Sequence, residues 1–325
     1  LDERPDESNQ RAEPASALAP MPRAPAPAAH ARVRALIALL EDDSPAVVSA
    51  VSAQLAEHGP LARARLKRLA RGSQARLRAR ARNALSELEE RVHLRRILAR
   101  GLDPRFELER GLFLLAGLSR PRFDSRPYQR ALDAMGQEVR RRAQRAPTGP
   151  SSVRAALELA RYLGGELGYR GGEAGTSTPD DVHVHRVLER RRGLPLTLCA
   201  LYAFVARRAG LRCTLVALPG RVLARLYGDG QSVLIDPFEG GRQRVRREIE
   251  ANLARQGLVP QASWFQDADD ALLLQRQLRN LAQSLRGAAR GRSAARIEGV
   301  ANELAQAREL RLGQRRAAAG PRALG

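Results

Sequence analysis

Residues 187–241 read VLERRRGLPLTLCALYAFVARRAGLRCTLVALPGRVLARLYGDGQSVLIDPFEGG, and the fold class is decided inside this stretch. Gly193-Leu194-Pro195 punctuates the start of a helix over Leu196 to Arg208, because proline at a helix start gives up only an N–H that lacks a partner there. Gly210 ends it. The apolar period then shortens to two. Thr214 to Leu218, Val222 to Leu226 and Ser232 to Ile235 alternate as short strands, parted by Pro219-Gly220 and Gly228-Asp229-Gly230. Asp236-Pro237-Phe238 and Glu239-Gly240-Gly241 read as a closing turn, with the glycines taking conformations that other residues avoid. No lysine or helix start follows at the spacing of a phosphate loop. One long apolar helix followed by an antiparallel meander predicts an α+β core, with the helix laid against a small sheet.

Outward from that core the pattern is helical. Leu108, Leu112, Leu115 and Leu118 form one stripe, broken at Ser119-Arg120-Pro121, and Leu132, Met135 and Val139 form the next. Residues 147–152 and 171–181 read as loops around a helix over 153–167. Between Val33 and Arg100 a helix–break–helix unit recurs at a spacing of about 30 residues. Leu36, Leu39, Val47, Val51 and Leu55 return as Leu66, Leu69, Leu77, Ala81 and Leu85. The breaks are Asp42-Asp43-Ser44-Pro45, where the Ser44 hydroxyl is expected to cap the next helix, and Gly72-Ser73-Gln74. This pair resembles HEAT-like repeats. Downstream, residues 272–285 and 297–310 are helical. The domain expectation is a disordered Pro/Ala-rich lead at 1–30 and a HEAT-like region at 31–100. The core domain follows at 101–250, then a helical region at 251–312 and a flexible tail at 313–325.

Of 325 residues, 43% are hydrophobic and 28% charged, a globular balance, while aromatics at 4% leave the core to Leu, Ala and Val. No apolar run approaches the roughly 20 residues of a membrane span, and residues 1–32 hold no apolar signal region, so a cytoplasmic protein is expected. Two cysteines, Cys199 and Cys213, suffice for neither a disulfide scaffold nor a four-thiolate zinc site. The formal charge is +21, and 55 of the 56 basic residues are arginine. Residues 60–100 alone carry thirteen basic and three acidic residues. Such density fits nucleic-acid binding. Codon bias replacing lysine by arginine is the favoured account, since the arginines are scattered and few aromatics stand among them to stack on bases.

The 187–241 stretch resembles the SirB-one-type transglutaminase-like family. The residues that carry the resemblance are Arg191, Arg192, Gly193, Pro195, Tyr202, Pro219, Gly220, Asp236, Pro237 and Phe238, together with the VARR-GL run at 205–211. LERGLFLLAGLSRPRFDSRPYQRALDAM at 108–135 and LGYRG at 167–171 also look like that family, so the likeness spans about residues 103–250. It implies a papain- or transglutaminase-like core, a central helix abutting an antiparallel sheet.

A thiol enzyme of that kind needs a cysteine at the helix N-terminus, where the dipole favours the thiolate. A histidine on the adjacent strand serves as base, and an Asp or Asn on the next strand orients it. Against the superfamily pattern, the nucleophile position falls on Pro195, as is common in this family. The family's LPGHF histidine is Arg221, which stays protonated at neutral pH. Only Asp236 remains. If the family geometry holds, Arg221 and Asp236 face each other as a structural ion pair. Anion binding by Arg221 is the functional alternative.

Cys199 lies one turn beyond Pro195, where the family often has serine, so a packed core residue is expected, as for Cys213. His183 and His185 alternate beside Asp180 and Asp181, without a placed third metal ligand, and the aspartates are expected to cap a helix starting near His183. The reading is thus a non-catalytic protein-interaction or regulatory scaffold, with no metal or cofactor expected and no partner identified. Two rivals stand beside it: a cysteine hydrolase or transferase using Cys199, and nucleic-acid binding through residues 60–100.

Overall fold

The computed structural model describes residues 27–120, 122–145, 152–172, 177–228 and 230–318. They fall into two compact units, parted between Leu88 and Glu89.

The first unit is helical. It comprises α1 (Pro27–Ala38), α2 (Pro45–Glu57), α3 (Gly59–Leu69) and the first part of α4 (Ala75–Gly101), with one tight turn at Leu39–Glu41. Val33, Leu36, Val51, Leu55, Leu66 and Leu88 are buried, so the period-3.6 stripes face inward. Among the described residues α1 already starts at Pro27, ahead of the expected Val33. The alanine-rich run PAAHARVRALIA has high helix propensity, and Pro27 sits where a helix tolerates it. The remainder of the expected disordered lead lies outside the described residues. Ser44 precedes α2 as expected, yet its hydroxyl makes no capping bond. Instead its N–H donates to Asp42 Oδ1 at 2.7 Å, closing the break from the other side. Arg80 on α4 donates to the carbonyls of Leu40 (2.7 Å) and Asp42 (2.5 Å), which the break leaves open.

In the second unit α5 (Leu108–Ser119) and α6 (Arg126–Gln144) come first. α7 (Ser152–Ala160) follows and runs on through one wider, π-type turn, Arg161–Glu166. Two short segments, β1 (Arg170–Gly171) and β2 (Arg192–Gly193), pair in parallel around α8 (Pro179–Val182) and α9 (Val184–Arg190). α10 (Pro195–Arg208) is the hub, buried without interruption from Leu196 to Ala206. The meander β3 (Arg212–Leu218), β4 (Arg221–Gly228), β5 (Gln231–Asp236) and β6 (Arg242–Arg244) forms one antiparallel sheet in that order. α11 (Arg246–Arg255), α12 (Asp270–Gly287) and α13 (Gly291–Ala318) complete the unit. The α+β expectation holds: helices dominate, with one small antiparallel sheet against a central helix.

Strand alternation gives the sheet two faces. Leu215, Val222, Ala224, Leu226, Val233 and Ile235 join α10 in the main core. Val216, Leu218, Leu223 and Leu234 point the other way and form a second core with Ile249 and Leu253 of α11 and with Phe265. β6 is a strand beyond the three expected. Arg242-Gln243-Arg244 has no apolar alternation, and its pairing with Leu234–Asp236 follows from the reversal at Gly240 and Gly241, both at positive φ (67° and 87°). α13 continues to Ala318, past the fraying expected from Gly313. Its end is rich in Ala, Leu and Arg, and one glycine in a helix costs only about 1 kcal/mol.

Candidate functional site

The N-terminal turn of α10 is where a thiol nucleophile would stand, and here it is occupied by structure. Pro195 is its first residue. Leu194 N–H donates to Asp181 O at 3.0 Å. The Thr197 hydroxyl donates toward Asp181 O (3.1 Å) and Val182 O (3.3 Å), and accepts from Gln277 Nε2 at 2.8 Å. Gln277 Nε2 also reaches Val182 O at 2.5 Å. The turn is therefore tied to α8 and α12 through its backbone and hydroxyl.

Cys199, one turn on, is fully buried and donates its thiol to Val222 O at 3.1 Å. Burial pushes its pKa well above the ordinary thiol value, and the nearby Asp236 carboxylate adds to the effect. Cys213 is also buried, and burial pushes its thiol up to about 12. Neither environment supplies a thiolate at neutral pH.

On β4 and β5 the alternation that buries Leu223 and Leu234 under α11 puts Arg221 and Asp236 on that same face, away from α10. Arg221 Nη2 lies 2.8 Å from Asp236 Oδ2 and 2.7 Å from Glu239 Oε1. Arg244 approaches the same two acids, its Nε 3.4 Å from Asp236 Oδ2 and its Nη2 bonded to Glu239. Phe238 N–H donates to Asp236 Oδ1 at 3.2 Å. Two guanidiniums and two carboxylates thus form a closed square. Burial raises the Asp236 carboxyl above its usual range despite the opposing charges of Arg221 and Arg244. Burial also works to raise Glu239, but the Arg221 hydrogen bond and the charges of Arg244 and Arg242 outweigh it and hold Glu239 low. The square forms one wall of a cleft of about 530 Å³ whose other wall is α11.

The turn that carries Glu239 is seated by close packing. A Cβ on Gly164 would stand 1.9 Å from Gly240 O and 2.8 Å from the Tyr202 hydroxyl. Glycine is therefore required where the π-type turn meets residues 237–241. Phe238 lies over Gly171 of β1, and Arg192 over Gly172. The motif residues from 191 to 193 and from 236 to 238 thus meet around β1 and β2. Arg191 itself takes a left-handed conformation (φ 59°) at the end of α9, and Pro219-Gly220 makes the β3–β4 turn.

His183 and His185 flank the start of α9, buried, with ring centroids 5.5 Å apart. His185 packs on Phe123 at 4.9 Å and on Tyr128 at 5.8 Å. Among the described residues no group of three or more His, Cys, Asp or Glu is placed to hold a metal ion. Asp180 and Asp181 do not cap the helix at His183. They lie in the first turn of α8, where Asp181 Oδ2 accepts the N–H (2.9 Å) and the hydroxyl (2.8 Å) of Thr178. Pro179 starts that turn one helix earlier than expected.

The sequence points to Arg221 and Asp236 but not to Arg244 or Arg242, which share their face, and to Glu239 only as part of a turn. The available signal was Arg-x-Arg directly after a diglycine turn, since residues two apart on a returning strand share a face.

Residues 126–279, from the start of α6 into α12, match the transglutaminase-like superfamily. A curated UPF0162 protein of Xylella fastidiosa (strain 9a5c) is 31% identical over 176 residues, 52% of this chain and 61% of that protein. Another, from strain Temecula1, is 31% identical over 136 residues, 42% of this chain and 47% of that protein. The matched stretch spans between 47% and 61% of these relatives' length, and their printed name states no activity. No solved structure matches the chain. No helix among the described residues is long and apolar enough to cross a membrane. Residues 126–279 of this chain carry a transglutaminase-like domain, with α10 as its central helix and β3–β6 as its sheet.

Proposed function

We propose that the chain is a catalytically degenerate, SirB-one-type transglutaminase-like protein that works in the cytoplasm as a protein-interaction or regulatory scaffold, with a HEAT-like helical region at residues 31–100. The observation that carries this reading is the charge square. The position matching the family's base is a guanidinium already bonded to Asp236 and Glu239, on the sheet face turned away from α10. A guanidinium is already protonated and takes no proton from a nucleophile at neutral pH, and Pro195 offers no nucleophile to activate. Cys199, the thiol of α10, is sealed in the core and donates its S–H to Val222 O.

The nucleic-acid reading of residues 60–100 finds less support. Arg78 donates to the carbonyls of Gly72 and Ser73 at 2.9 Å, Arg80 closes the α1–α2 break, and Arg82 donates to Ala70 O at 3.2 Å. These arginines satisfy carbonyls that helix ends leave open.

The test is turnover by the full chain in amine-incorporation and peptide-hydrolysis assays, comparing wild type with Cys199→Ser. Both proteins are expected to stay at the buffer rate. Turnover in the wild type that vanishes in Cys199→Ser overturns the reading in favour of a thiol enzyme.

A further inference from the structure

We propose that the cleft between the outer face of β4–β6 and α11 is a docking site for an acidic peptide segment of a partner protein, one joining an Asp or Glu to an aliphatic side chain. This deepens the scaffold reading and rests on it.

Three observations on the second unit point to that occupant. The floor is apolar, built from Leu218, Leu223, Ile249 and Leu253. The inner wall is held in place and charge-balanced, because Arg221 and Arg244 are each bonded to both Asp236 and Glu239, so it does not repel an acidic ligand. The mouth carries cations with little else to bind. Arg242 is 61% exposed, with Glu239 at 3.7 Å, and Arg255 is exposed, with Asn252 Oδ1 at 3.5 Å. Asp236 and Glu239 are already neutralised by the inner pair, so the mouth presents its positive charge outward. Val245, between the cleft-lining Arg244 and the start of α11, is 57% exposed.

A nucleic acid fits less well. None of the lining side chains is aromatic, so bases have nothing to stack on, and the two mouth arginines are too few to neutralise a run of adjacent phosphates. A single carboxylate beside an aliphatic group is matched by the two mouth arginines and the leucine floor.

The test is selection of a displayed random-peptide library on the full chain, followed by fluorescence anisotropy of the enriched peptides. The comparison is the double variant Arg242→Gln/Arg255→Gln, which removes both mouth charges and takes from the square only the 3.7 Å approach of Arg242 to Glu239. Expected are peptides pairing Asp or Glu with Leu, Ile or Val. Their affinity should fall about tenfold or more in the double variant at unchanged melting temperature, and a poly-dT oligonucleotide should not compete. Three results overturn the proposal: no enrichment, enriched peptides that bind both proteins equally, and an oligonucleotide that displaces the peptide at comparable affinity. Turnover through Cys199 would overturn the scaffold reading by a different measurement, so the two failures are separable.

Discussion

Arg221 Nη2 stands 2.8 Å from Asp236 Oδ2, a carboxylate with no exposed surface at the end of β5. Removing one partner of such a pair costs more than the pair itself contributes, because the other charge is stranded in a poorly polar setting. Arg221→Ala should destabilise the second unit by roughly 2 kcal/mol, below the ~3–5 expected of a fully buried pair. The reduction follows from the partial exposure of Arg221 and from Arg244, which keeps a weaker contact at 3.4 Å. Denaturant titration checks this, and the double variant Arg221→Ala/Asp236→Asn should recover part of the loss. A single variant as stable as wild type would mean the pair holds nothing together.

Acid should loosen the protein through His183. This imidazole is 2% exposed, and burial, with a smaller push from His185, lowers its pKa from 6.5 to about 4. The unfolded chain takes up that proton below pH 6.5, the folded one only near 4. The unfolded state is therefore the better proton binder in that window. Stability should be fully present above pH 6.5 and fall on acidification toward 4, by on the order of 3 kcal/mol for this residue. His185 is shifted in the same direction by burial and adds to the slope. His183→Gln should flatten the profile of melting temperature against pH between these limits. An unchanged slope would assign the acid sensitivity to other groups.

Gly164→Ala tests the seating of the 237–241 turn. The added methyl would meet Gly240 O, a backbone atom that cannot swing aside. The expected cost is about 2 kcal/mol, within the range for overpacked sites. Gly165→Ala, where nothing lies within 4 Å of the new Cβ, is the control and should be nearly silent. Equal effects would remove the argument from close packing.

Much of this architecture was legible in the chain. The α10 boundary at Pro195, the three alternating strands and the stripes of α5 and α6 follow from period and punctuation, which depend on neighbours in sequence. β6 was not legible, because a three-residue polar edge strand owes its existence to its partner β5 rather than to its own pattern. The Ser44 cap was not met either: its hydroxyl bonds no N–H of α2, while its own N–H donates to the Asp42 carboxylate two residues earlier. Within the candidate site, the meeting of Arg221 with Asp236 could be anticipated from the family likeness. The pairing of both with Arg244 and Glu239, and the face of the sheet that holds them, depends on strand register, which a single sequence leaves open.

The central claim is that no nucleophile of this domain reaches a substrate. The most direct measurement is the intact mass of the full chain after incubation with an activated acyl ester and, separately, with a thiol-directed electrophile, before and after denaturation. No adduct is expected on Cys199 or Cys213 while the chain is folded, and both thiols should be labelled once it is unfolded. A stoichiometric acyl adduct on Cys199 of the folded chain would contradict it.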